Sequence, residues 1–421
     1  MAGLACARRL GDQEHVRVTL LDRNNYHQFQ PLLYQVATSQ LAPSDVAFDL
    51  RKLFTEHTNV DVKLVEVAEV DASARTVTAT DGGSWSGDAV VVAAGAVPNF
   101  FRTPGADRHA FPLYCLDDAT RLRSRILGVF EDADRDPSLL DRGALNFVVV
   151  GGGPTGVEVA GALADMITDT MTAEYRDLAV SAARVHLVDL GHVLLAPFSD
   201  RAHDYVAKVL QRKGVELHLG TRVAGIDAGH VTLADGTTSA PRCVVWGGGI
   251  KAAPLGIAQG AGGRVDVLPD LTVDGAPGVY AIGDVANIPG ADDRALPQLG
   301  SVAQQSGLWA ADNVLADLAG KPRKPFHYKD KGIMAMIGRG TAIAEVGPHR
   351  HELHGAVAHA AWLGVHATLM TGVRNRVEGF LDWGWDSFSS TRGPQVLDRA
   401  GAARIDWDED PMPAQQPVAA R

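Results

Sequence analysis

The stretch 145–158 constrains the fold more than any other part of the chain. Leu145-Asn146-Phe147-Val148-Val149-Val150 is an apolar run of strand length that passes directly into Gly151-Gly152-Gly153-Pro154-Thr155-Gly156-Val157-Glu158. Gly151, Gly153 and Gly156 have G-x-G-x-x-G spacing. In a βαβ unit the first such glycine permits a tight turn, the second lets backbone approach a pyrophosphate, and the third lets helix and strand pack closely. Residues 159–166 continue as a helix, whose N-terminal dipole faces the phosphates. Residues 184–188 read as the next strand, ending on Asp189. A carboxylate there accepts hydrogen bonds from the ribose hydroxyls and repels a 2′-phosphate, which favours NADH over NADPH. Asp189 follows Gly156 at more than the usual interval of about 20 residues. An enlarged helical insertion is therefore expected at about 164–183.

The start of the chain reads as the later part of a second such unit. Residues 1–10 have helical character, and residues 16–21 read as a strand ending on Asp22. Gly3 then takes the place of the last turn glycine, and Asp22 follows it at close to the usual interval. The first strand and two more glycines are expected to be encoded upstream, through a misassigned start codon in preference to a truncated gene. Three more apolar runs end in glycine turns: 89–94 before Gly95, 243–246 before Gly247-Gly248-Gly249, and 278–282 before Gly283-Asp284. Each alone is ordinary turn chemistry. Together they predict an α/β fold with two Rossmann-like dinucleotide-binding domains, the second inserted in the first, plus a C-terminal membrane-associated helical segment. The expected boundaries are 1–115 and 256–330 for the outer domain, 116–255 for the inserted domain, and 331–421 for the C-terminal segment.

Composition excludes some functions. A net charge of −11 argues against a nucleic-acid surface. Cys6, Cys115 and Cys243 have neither CxxC nor metal-ligand spacing, so neither disulfide cycling nor a metal site is expected. Residues 355–373 contain no Asp, Glu, Lys or Arg. Their length suits a bilayer span, but His359, His366 and many Ala and Gly residues favour a packed or interfacial helix. Arg374 and Arg376 follow, and then Phe380, Trp383, Trp385 and Phe388 concentrate rings among polar residues, as in an interfacial segment or a lid. Their irregular spacing suggests a bent or broken helix. A tail with Asp408-Glu409-Asp410 and three prolines is expected to be disordered.

The chain resembles the type II NADH dehydrogenases, the non-pumping NADH:quinone oxidoreductases. The resemblance is carried by residues 26–37 (YHQFQPLLYQVA), Gly151 to Glu158, Ala281-Ile282-Gly283-Asp284, residues 326–332 (FHYKDKG) and the aromatic C-terminal segment. It implies FAD in the outer domain and NADH in the inserted one. It places Asp22 and Arg23 at the FAD adenosine, the Val67 backbone at the adenine, Asp284 at the ribityl–pyrophosphate region, and Gly300 and Ser301 beside the isoalloxazine. Gly3, Gly95 and Gly283 join the FAD set. Gly151, Gly153, Gly156, Asp189 and Gly248 form the NADH set. Glu158 matches a glutamate near nicotinamide and flavin, and Gln305 the second glutamine of the quinone pattern AQxAxQ, in which Ser301 replaces the first. The implied partners are NADH, a membrane quinone and the bilayer surface, at the cytoplasmic side of the cell membrane, with a homodimer left open and no nucleic acid. Two alternatives stand beside this reading: a related flavoprotein reductase with another acceptor, and a non-catalytic NAD(H)-binding protein.

Overall fold

The computed structural model describes residues 1–397, apart from 254, 291–293, 348, 371, 389–392 and 394. The acidic, proline-rich tail at 408–417 lies outside the described residues. The chain forms two compact units.

The first unit comprises Met1–Phe29, Ala47–Pro98 and Ile250–Lys331. Its opening helix, Ala2–Gly11, buries Ala2, Cys6, Ala7 and Leu10. That spacing gives one apolar face, and Arg8 and Arg9 in the last turn suit the helix dipole. The face lies on the helix Gly300–Leu318 at close range, because a Cβ at Gly307 would run into the Ala2 carbonyl oxygen. Two parallel strand pairs flank the opening helix: Val90–Val92 with Val279–Ala281 in the main core, and Val18–Asp22 with Val60–Leu64 in a smaller cluster with Ala7, Leu50 and Phe54. The two pairs are separate sheets, with no ladder joining them. An antiparallel meander, Val67–Asp71, Thr76–Ala79 and Ser84–Ser86, completes the unit's main strands.

The second unit comprises Gln30–Val46, Asn99–Gly249 and the chain from Gly332 onward. Its centre is a five-stranded parallel sheet in the order Phe111–Pro112, Cys243–Trp246, Asn146–Val150, Arg184–Asp189, Val215–Leu219. Asn146–Val150 is the middle strand, and Phe147, Val148 and Val149 are almost wholly buried. Burial on both faces explains its unbroken apolar sequence. The helices Leu116–Arg135, Pro154–Asp165 and Asp200–Arg212 pack on the sheet. A small antiparallel sheet, Val223–Ile226, Val231–Leu233 and Thr238–Ser239, meets Val148, Val150, Val188, Val244 and Trp246 on one of its faces.

The long interval before Asp189 is filled by a continuation of the Pro154–Asp165 helix. It widens into a π-helix at Met166–Met171, where the Thr172 hydroxyl donates to the Ile167 carbonyl at 3.0 Å, and ends in a short turn at Val180–Ala182.

The apolar run 355–373 is not one helix. It ends at Leu369, and Val373–Phe388 begins a second. Among the described residues, no helix is long and apolar enough to cross a membrane. The aromatic segment is one continuous helix, not a broken one. Its irregular ring spacing arises because Trp383 points inward, 6% exposed, and donates its indole N–H to Gln35 Oε1 at 2.8 Å. Phe380, Leu381 and Trp385 are 59–67% exposed.

Candidate active site

In the second unit, the parts of a nucleotide turn assemble within one short stretch. Gly151 has φ +113°, a value that side chains rarely adopt. A Cβ at Gly156 would run into the Gly151 carbonyl oxygen, and a Cβ at Gly151 would lie 2.5 Å from the Gly247 carbonyl oxygen. The Gly247–Gly249 turn therefore abuts the 151–156 turn and brings Gly248 beside it. Gly153 is the N-cap of the Pro154–Asp165 helix, which has neither a capping side chain nor an acidic residue in its first turn. Its unpaired N–H groups suit a phosphate. Open space surrounds Gly153 where a Cβ would stand.

Asp189 closes the turn. Its carboxylate accepts the Gly152 N–H and the Gly191 N–H, both at 2.6 Å. Each oxygen keeps a lone pair for a ribose hydroxyl. These residues fit a bound dinucleotide.

Glu158 is buried on the same helix. Its carboxyl is pushed up to about 8 by burial, against the lowering effects of the Met336 N–H and the Trp362 indole. The Met336 N–H donates to Glu158 Oε1 at 3.2 Å, while the Trp362 indole N–H lies near without a hydrogen bond of ordinary geometry. The helix face continues through Gly161, where a Cβ would collide with the Ile337 carbonyl oxygen, to Asp165, which accepts the Arg339 N–H and pairs with Lys213 at 2.5 Å. Glu158, Gly161 and Asp165 follow i, i+3, i+7 spacing, so one stripe meets residues 336–339. Trp362 stacks on His366 at 3.8 Å and meets Trp383 edge-on at 5.8 Å. The sequence reading missed this support, since 336–339 carry no motif and meet the helix only through contacts between distant parts of the chain.

In the first unit, the expected flavin residues come from distant segments. The N-terminus of the Ala2–Gly11 helix, the Gly283–Val285 turn and the N-terminus of the Gly300–Leu318 helix converge: a Cβ at Gly283 would lie 2.9 Å from Ala2 Cβ, and one at Gly300 would lie 3.1 Å from Met1 Sδ. Burial pushes the Asp22 carboxyl up, opposed by the Asn24 N–H and Arg23. Gly3 faces Ala93, and Gly95 follows the Val90–Val92 strand with φ +72°. Val67 opens the first strand of the meander. Two helix N-termini without acidic first turns suit a diphosphate, so the residues fit FAD.

The 326–332 motif and the pattern at 300–305 also meet. Ser301 Oγ lies 2.8 Å from the Tyr328 hydroxyl. The Gln305 side chain donates to the Lys329 carbonyl and accepts the Lys329 N–H, both at 3.0 Å.

All three cysteines are free thiols. Burial pushes Cys6 and Cys243 up to about 12 and Cys115 up to about 11, which suppresses thiolate chemistry.

Residues 1–307 match the family description "Pyridine nucleotide-disulphide oxidoreductase". The chain is 34% identical over 423 residues to the type II NADH:quinone oxidoreductase Ndh of Mycobacterium tuberculosis (96% of this chain, 89% of the relative). It is 36% identical over 418 residues to NdhA of the same organism (94% and 87%). The chain belongs to the type II NADH:quinone oxidoreductase family. Its fold is likewise similar to that of NDH2 from Plasmodium falciparum in complex with NADH, with a TM-score of 0.84, 18% identity, and coverage of 94% of this chain and 98% of the other. The mixed α/β class expected from the sequence is the one found.

Proposed function

We propose that this family member oxidises NADH through FAD and delivers the electrons to a membrane quinone, with Glu158 as the proton-handling group. FAD, when bound, supplies the two-electron relay between the substrates. Residues 116–255 serve NADH, 1–115 and 256–330 serve FAD, and 331–421 serve the membrane.

The free N–H groups in the first turn of the Pro154–Asp165 helix hold the NADH pyrophosphate, Gly151, Gly153 and Gly156 let the backbone approach it, Gly248 backs the turn, and Asp189 selects the ribose over its 2′-phosphate. Gly3, Asp22, Arg23, Val67, Gly95, Gly283, Asp284, Gly300 and Ser301 hold and orient FAD. Gln305 places the 328–331 segment, and reaching a quinone carbonyl requires it to release one bond to Lys329.

The observation that carries the reading is the buried Glu158 on the helix behind the glycine turn. A carboxyl near 8 keeps a proton at neutral pH yet gives it up readily. The matching test uses the FAD-loaded chain. Glu158→Gln lowers turnover with a short-tailed quinone at least about tenfold and leaves NADH affinity unchanged. Unchanged quinone turnover would remove Glu158 from the mechanism.

The C-terminal helices suit a peripheral contact with lipid. On Gly355–Leu369, the exposed Val357, Val365 and Leu369 recur at helical spacing along one face. Val377, Phe380, Leu381 and Trp385 are exposed on the next helix. Trp383 is excluded from this surface, and the side chains of Arg374 and Phe388 lie outside the described residues. Rings at headgroup depth and an uncharged helix face favour an interface. The contact would place the enzyme on the cytoplasmic face of the membrane, where long-tailed quinones partition.

A further inference from the structure

Among the described residues, one group of three His, Cys, Asp or Glu side chains brings its ligand atoms within 4.8 Å of one another: His186, Glu216 and His218. It lies on adjacent parallel strands of the five-stranded sheet, where His186 is the register partner of Glu216 and Val188 that of His218. His186 and Asp189 differ in parity along their strand, so they project from opposite faces. His186 shares parity with Val188, which packs against the small antiparallel sheet. The cluster is therefore outside the glycine turn and the Glu158 site.

His186 Nδ1 is 3.1 Å from His218 Nε2 and 3.4 Å from Glu216 Oε2. With metal–ligand bonds of about 2.0–2.1 Å, two ligand atoms of a tetrahedral zinc site stand about 3.3 Å apart. The two observed edges match that spacing. His186 is mostly buried and Glu216 is half exposed, so the cluster has a firm base and an open entry.

We propose that His186, Glu216 and His218 form a three-ligand site for a borderline divalent cation of the zinc class, with the fourth position open to water. The sequence reading expected no metal, because these ligands come from two separate strands and show no short spacing motif. Without a cation, one imidazole donates its N–H to the other. With one, the donor ring takes the tautomer that frees its facing nitrogen, and small rotations of both rings aim the two lone pairs at the metal. The cation then ties the edge strand Val215–Leu219 to its neighbour.

The test uses the full-length chain, freed of any histidine tag and stripped with chelator. Zinc titration by calorimetry should show one equivalent bound, and cobalt should give the intense visible absorption of a tetrahedral site. His218→Ala and Glu216→Gln should each weaken zinc binding at least about tenfold. In the unmodified chain, zinc should protect His186 and His218 together from acylation by diethyl pyrocarbonate, a readout that needs no variant to fold. Failure of zinc to bind, or protection of other histidines with these two left reactive, would overturn the proposal.

Discussion

Two strands in this molecule end on an aspartate, and their surroundings differ. Asp189 finishes a strand inside a continuous five-stranded sheet, and two backbone N–H groups hold its carboxylate. Asp22 finishes a strand of a two-stranded parallel pair, and its one backbone partner, Asn24, is a near neighbour in the chain. The first is fixed by the turn it serves. The second is buried enough to raise its carboxyl, and the turns expected to share its nucleotide come from distant segments. A nucleotide site built from one contiguous stretch carries its own geometry, whereas one gathered from several segments depends on the rest of its unit.

Breaking the two glycine turns tests that contrast most severely. Gly156→Ala forces a Cβ into the Gly151 carbonyl, with backbone against it and no flexible side chain to move. A displacement near 1 Å costs about a hundredfold in rate, so kcat/KM for NADH should fall by at least about that factor. Gly3→Ala meets only Ala93 Cβ, at 3.0 Å, and needs a few tenths of an ångström. Flavin retention, read from visible absorbance, should change less than about threefold. Equal damage from the two variants would erase the contrast.

The Asp189 side can be sharpened by charge alone. Asp189→Ala removes repulsion of a 2′-phosphate and frees the Gly152 and Gly191 N–H groups. The preference for NADH over NADPH in kcat/KM should be at least about tenfold in the parent and should narrow by a similar factor. A ratio that stays put would mean that Asp189 does not face the ribose.

Glu158 makes a smaller prediction about stability. Its folded carboxyl titrates near 8, against an ordinary value of 4.5. Between those values the unfolded chain has lost the proton and the folded chain keeps it, so stability falls as pH rises through this window and levels off above about 8. Glu158→Gln should flatten that decline in denaturant midpoints measured from pH 5 to pH 9. An unchanged slope would show that Glu158 is ionised when folded.

The smallest effect on NADH oxidation is expected at the lipid face. Replacing Phe380, Leu381 and Trp385 with serine should abolish co-sedimentation with anionic vesicles and leave NADH oxidation by a soluble dye within about twofold. Retained sedimentation would assign these side chains to another surface.

The sequence was most legible where structure is local. Strand, glycine turn, helix and Asp189 follow one another along 145–189, and each reads from composition and spacing. The converging first-unit residues were legible only through resemblance, since no local pattern links Gly3 to Asp284 or Gly300. Between an interfacial ring and a packed one the sequence left Trp383 open, because its partner, Gln35, belongs to a remote segment of the chain. The support behind Glu158 was hidden for the same reason: residues 336–339 meet its helix through backbone groups, which every residue type carries.

The role of Glu158 is decided by the pH profile of quinone reduction by the FAD-loaded enzyme, with and without Glu158→Gln. The parent should show an inflection in kcat near pH 8, where burial places this carboxyl. The variant should lose the inflection and be slower at neutral pH. The same inflection in both would contradict the role given to Glu158.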